Sequence, residues 1–154
     1  MNADMFIDNA GNEINTYEKA KLLLYFTDEN GDCLQTISRT VVYSSNIPME
    51  RLVVEELISG PKEAEGVYPT INPSTKIVSV NVKDGICYVN LDSAYMTPIN
   101  NVISDVTIYS ITNSLVELPN INKVQISING ETNINYKENA SYSTIFERNL
   151  ELVK

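Results

Sequence analysis

The chain has 154 residues and a formal charge of −9, which is one domain's worth and enough to bury about two thirds of the surface its unfolded form exposes. Its eleven Lys and Arg residues are scattered singly, which excludes the clustered cationic face that a nucleic-acid partner requires. Histidine and tryptophan are absent, so the commonest general base and metal ligand is missing, as is the usual platform for stacking a sugar ring.

Residues 1–20 contain few apolar side chains and no clear period, and they read as a flexible N-terminal segment ahead of a single domain over 21–154. The first twenty-odd residues are polar, not basic and then apolar, so they do not form a secretion signal. No run approaches the roughly 20 apolar residues that span a membrane. A mature exported chain also begins in this way.

Leu22-Leu23-Leu24-Tyr25-Phe26 is apolar on both faces, as expected of a strand in mid-sheet or covered on both sides. Thr27 to Asp32 turns the chain, and the Thr-, Val- and Ile-rich stretch from Cys33 to Tyr43 returns as an antiparallel neighbour. Asn46 is placed to cap a helix whose first turn holds Pro48. Met49, Val53 and Leu57 form one stripe of that helix and Val54 with Ile58 another, while Glu50, Arg51, Glu55 and Glu56 face outward. Gly60-Pro61 ends it. Lys62 to Thr75, interrupted by Pro69 and Pro73, reads as a long irregular loop.

Asp84-Gly85 then closes a hairpin, since both central positions of a type I′ turn need positive φ. Counting outward from the turn pairs Val82 with Cys87, Val80 with Val89 and Val78 with Leu91 on an apolar face. Lys83/Ile86, Asn81/Tyr88 and Ser79/Asn90 fall on the other face. From Asn100 to Leu118, Val, Ile and Thr favour strand by propensity. Ile108, Ile111, Leu115 and Leu118 nevertheless repeat at helical spacing, and the length of the segment decides for a helix stopped at Pro119. Lys123 to Asn129 alternates as a final core strand, with Val124, Ile126 and Ile128 inward. The remainder is mostly polar, with a weak apolar set of Tyr142, Ile145, Phe146, Leu150, Leu152 and Val153 that suits a short edge element. The order β-β-α-β-β-α-β predicts an α+β fold in two layers, a mixed or antiparallel sheet with both helices packed on one face.

These residues resemble a known family. The spacing of Leu22–Phe26, Arg39, Glu56-Leu57-Ile58-Ser59-Gly60-Pro61, Val80, Val82, Asp84-Gly85, Val89 and Leu91-Asp92, followed by Ile111-Thr112-Asn113-Ser114-Leu115, Val124-Gln125-Ile126 and Asn129-Gly130, is similar to the GerMN domain of sporulation and spore germination proteins. The resemblance covers roughly residues 21–153. It implies a core order like that of the ring-building motif of secretion assemblies and a non-enzymatic protein-protein interaction domain. It also implies an exported, often lipid-anchored setting in the bacterial cell envelope. The partners so implied are other envelope or sporulation proteins, or further copies of the chain, with membrane contact only through an anchor that these residues do not include. A second GerMN copy and an appended immunoglobulin-like module, found in some members, are also not part of it.

The sequence offers no constellation for catalysis, for a cofactor or for a metal. Asp28, Asn30 and Asp32 match the opening of a calcium loop, but Gly31 falls at the wrong place and Arg39 stands where the closing Glu should be. Glu55 and Glu56 are adjacent on a helix and point apart, which reads as a solvated face. Ser59 and Ser93 have no His to activate them, and Asp92 or Ser93 reads as an N-cap. Arg39, within a strand, reads as a structural ion pair or a surface contact. Cys33 and Cys87 could form one disulfide, although two buried free thiols fit their apolar strand positions better. Several of the nine tyrosines, Tyr25 and Tyr109 among them, fit the core, and the others suit a contact surface. Asn139-Ala140-Ser141 is a chance glycosylation triplet. A second function, binding of a cell-wall glycan or small ligand, would use the 62–75 loop with Tyr88 and Asn90.

Overall fold

A computed structural model describes residues 4–7, 13–132, 135–136, 140–141 and 145–154. The main elements are β1 (Asp4–Ile7), β2 (Glu13–Phe26), β3 (Gln35–Ser44), α1 (Met49–Ser59), β4 (Ile77–Lys83), β5 (Ile86–Leu91), α2 (Ser104–Val116) and β6 (Lys123–Ile128). Three two-residue strands follow: β7 (Asn135–Tyr136), β8 (Ala140–Ser141) and β9 (Phe146–Glu147). The fold is α+β, and from β2 to β6 its helices and strands follow the β-β-α-β-β-α-β order read from the sequence. The strands divide between two principal sheets, however, one ordered β1-β2-β3 and the other β4-β5-β6-β9. Among the described residues, no helix is long and apolar enough to cross a membrane.

β1 and the start of β2 fall within residues 1–20, the segment expected to be flexible. β2 begins at Glu13 and pairs with β3 from Tyr17↔Ser44 to Phe26↔Gln35. Backbone pairing carries this outer half of the ribbon, which is why its side chains need not be apolar: Tyr17 and Lys19 are exposed, and Thr16, Glu18 and Ala20 half-buried. Further in, Leu22, Leu24 and Phe26 join the main core. Tyr25, on the opposite face, packs in a second cluster with Leu34, Val102 and Val106.

The hairpin matches the expected register from Lys83↔Ile86 out to Ser79↔Asn90, with Asp84 at φ 53° and Gly85 at φ 80°. Beyond that a bulge intervenes, so that Ile77, not Val78, pairs with Leu91. The extra residue turns Val78 out to solvent, 53% exposed. The chain then crosses through α2 and returns as β6, parallel to β5. Val124 and Ile126 are fully buried and Ile128 nearly so, and β9 adds a short antiparallel edge through Val124↔Phe146.

The helix expected within 100–118 forms over Ser104–Val116, and ten of its thirteen residues are buried. It packs against β2 as well as against β6, β9 and α1, and α1 packs against β4 and β2, so each helix touches both sheets. The N-cap of α1 is Pro48, without a side-chain cap, and not Asn46. At its other end Gly60 takes φ 84° and its N–H returns to the Leu57 carbonyl, as the Gly-Pro signal requires.

Candidate interaction surface

Two polar systems hold the ribbon to the rest of the fold. In an antiparallel ladder alternate residues direct both backbone groups away from the partner strand. At Tyr25 these groups meet α2. The Ser110 hydroxyl donates to the Tyr25 carbonyl at 2.6 Å, and the Tyr25 N–H donates to Ser114 Oγ at 3.0 Å. Ser110 Oγ also shares a 2.6 Å bond with Thr70 Oγ1, and the Thr107 hydroxyl donates to the Thr70 carbonyl at 2.9 Å. Thr107, Ser110 and Ser114 thus form a hydroxyl stripe at helical spacing that caps a strand edge. That spacing was the signal in the sequence, but the Ile-Leu stripe beside it dominates the period. Just beyond, Thr27 and Tyr68 exchange backbone bonds in both directions, which pins the 62–75 loop.

The second system is charged. Arg39, 4% exposed, lies with its guanidinium carbon 5.6 Å from the centre of the Phe26 ring. Its Nε donates to Glu65 Oε2 at 2.9 Å, Nη1 to Glu56 Oε1 at 3.2 Å and Nη2 to both Glu65 Oε1 and the Gly60 carbonyl. The structural reading of Arg39 therefore holds. Glu56 is not part of a solvated face, because it is a partner of this buried cation. The hydrogen bonds from Arg39 hold the Glu65 carboxyl below its ordinary range, against the opposing effect of burial.

The remaining candidates are placed as follows. Asp28 Oδ1 accepts from the N–H groups of Asn30 and Gly31, as a turn residue does, and Oδ2 accepts from the Cys33 thiol at 3.3 Å. Asp28, Asp32 and Cys33 lie within metal-ligand reach of one another, but burial, then Asp28, pushes the thiol up and away from the thiolate a metal needs. Cys33 and Cys87 are free and buried. Burial, with Glu50 nearby, takes Cys87 up to about 12. Asp92 caps the short helical turn at Ser93–Met96 by accepting from Ala94 N–H, and the Ser59 hydroxyl donates to the Glu56 carbonyl. Tyr25 is buried and donates to Glu117 Oε2 at 2.8 Å, and Tyr109 packs edge-on to Phe146. Asn139 of the glycosylation triplet lies outside the described residues.

What remains open is the far side of β3. It ends its sheet, and by ladder alternation Thr36, Ser38, Thr40 and Val42 direct their N–H and C=O groups away from β2. No turn, loop or cap backbone bond reaches them among the described residues. Their side chains are exposed and uncharged. A groove of about 590 Å³ runs along Arg39–Val42 beside Gly60–Lys62.

The architecture has known counterparts. A family model described as "Germane: Sporulation and spore germination" matches residues 23–134. The chain belongs to the Germane family. Among solved structures it is similar to the tandem GerMN domains of the sporulation protein GerM from Bacillus subtilis, at 21% identity and a TM-score of 0.71. That match covers 88% of this chain and 48% of GerM's, so the Germane chain spans about half the length of the tandem structure. It is also similar to the first GerMN domain of GerM alone, at 16% identity and a TM-score of 0.59, covering 80% and 92% of the two chains. A candidate lipoprotein from Clostridium perfringens matches at 20% identity and a TM-score of 0.57, covering 85% and 87%. No curated protein sequence matches the chain.

Proposed function

We propose that this Germane domain is a non-enzymatic docking scaffold of a bacterial envelope protein linked to sporulation or germination, held outside the cytoplasm by a lipid anchor in its full-length form. The open edge of β3 carries this reading. A ten-residue strand with no outward charge, proline or bulge lacks the devices by which soluble proteins block strand addition. It is thus built to receive an extended segment of another envelope protein or of a second copy. The likeness to GerM and to the candidate lipoprotein supports the setting. Light scattering across a concentration series and pull-down from sporulating cells test the proposal. Association is expected with the native chain and is abolished by Thr40→Lys with Val42→Lys, which charge the edge without touching the core. The absence of both self-association and a partner, or binding unchanged in the charged variant, overturns it.

A second reading, binding of a cell-wall glycan or small ligand, is favoured by a groove between α1 and the entry to β4. Tyr88 and Asn90, the outward residues expected for it, do not line this groove. The Asn90 side chain instead accepts from Gly130 N–H at 2.9 Å.

A further inference from the structure

We propose that the groove between α1 and the start of β4 binds a small carboxylated ligand, with Arg51 and Lys76 receiving the carboxylate and Ile58 and Ile77 packing against the ligand's body. This deepens the second reading and rests on it. The groove holds about 580 Å³, within the range of small-molecule sites, which combine apolar walls with a few convergent polar groups.

Its polar groups are poised and underused. Arg51 Nε donates to Glu55 Oε1 at 2.9 Å, which orients the guanidinium. Its two terminal nitrogens have no bond to a described residue, and they present the fork that a carboxylate accepts in bidentate fashion. The Lys76 main chain is fixed by its N–H donating to Asp92 Oδ1 and its carbonyl accepting from Asp92 N–H, each at 3.0 Å. Its ammonium makes no ion pair with a described residue. Thr75, 5% exposed, also lines the groove, and its hydroxyl is the buried side-chain oxygen left without a partner among the described residues. Such orphans are rare in native folds.

Charge sets the ligand class. Two cations face one carboxylate, Glu55, so the groove carries one net positive charge in a chain whose formal charge is −9. A monoanion neutralises that surplus, whereas a phosphate dianion over-compensates it. The second oxygen of Glu55 is left to accept from a hydroxyl or amide of the ligand.

Amide chemical shifts of the full chain during titration provide the test, with N-acetylmuramic acid, N-acetylglucosamine and N-acetyl-alanine as probes. The first two differ in the lactyl carboxylate on the same ring, and the third carries a carboxylate without a sugar. Shifts at Thr75, Lys76, Ile77 and the Arg51 turn are expected with N-acetylmuramic acid. Binding should weaken about tenfold or more for N-acetylglucosamine, and likewise for Arg51→Gln or Lys76→Gln, as a charge-assisted contact is lost. Comparable binding of N-acetyl-alanine supports the carboxylate site with peptide ends as its source, and weaker binding supports it with sugar acids as the source. Equal affinity for both sugars, or full affinity in Arg51→Gln and Lys76→Gln, overturns the carboxylate assignment and leaves the glycan reading standing. No shift with any probe overturns both.

Discussion

The β2–β3 pair is held to the two helices by different chemistry, a buried cation toward the end of α1 and a row of hydroxyls along α2. The charged cluster depends on matched partners, because a guanidinium removed from water must recover its hydration from carboxylates and carbonyls. The hydroxyl row carries no charge, and its donors and acceptors are balanced one for one: Ser110 gives to Tyr25 and receives from Thr70, while Ser114 receives from Tyr25 and gives to the Ser110 carbonyl. The contrast teaches that two similarly buried polar sites fail in different ways. The first fails when charge balance is lost and the second when geometry is lost.

Removing one partner of the cation is the sharpest way to break this comparison. Glu65→Ala leaves the Arg39 guanidinium with Glu56 and one carbonyl, and it is expected to cost about 3 kcal/mol in denaturant unfolding. Ser110→Val is expected to cost somewhat less, about 2 kcal/mol, by leaving the Tyr25 carbonyl and the Thr70 hydroxyl unpaired. Acid separates the two systems with the smallest effect. Because the folded-state pKa of Glu65 is depressed by its bonds to Arg39, its contribution is present above the ordinary glutamate value of about 4.3 and is lost as pH falls through the lower folded value. Unfolding midpoints measured from neutral pH downward should therefore fall less steeply in Glu65→Gln than in the native chain, and Ser110→Val should leave the slope unchanged. A native slope in Glu65→Gln would remove Glu65 as the titrating group.

Legibility in the sequence followed the range of the interactions. The Asp84-Gly85 hairpin could be read pair by pair because its register is set within a dozen residues, up to the bulge at Val78 that no pattern announced. The α2 helix emerged from period and length. Arg39 was legible as a charge within a strand, yet its partner Glu65 lies 26 residues away in a loop, beyond any periodic signal. The early part of β2 was missed because it is defined by a backbone ladder to β3, more than twenty residues on, which its mostly polar side chains do not announce. The groove at Thr75 and Lys76 was illegible for a related reason, since α1 and the entry to β4 meet only in the folded chain.

The helix that closes the β2 edge is made late. Tyr25 bonds Ser110 and Ser114, which follow it by 85 and 89 residues, so an emerging or truncated chain that stops before α2 leaves the β2 margin at Tyr25 bare as well as the edge of β3. Such fragments are candidates for premature sticking during synthesis, and only completion of the second helix leaves β3 as the open border.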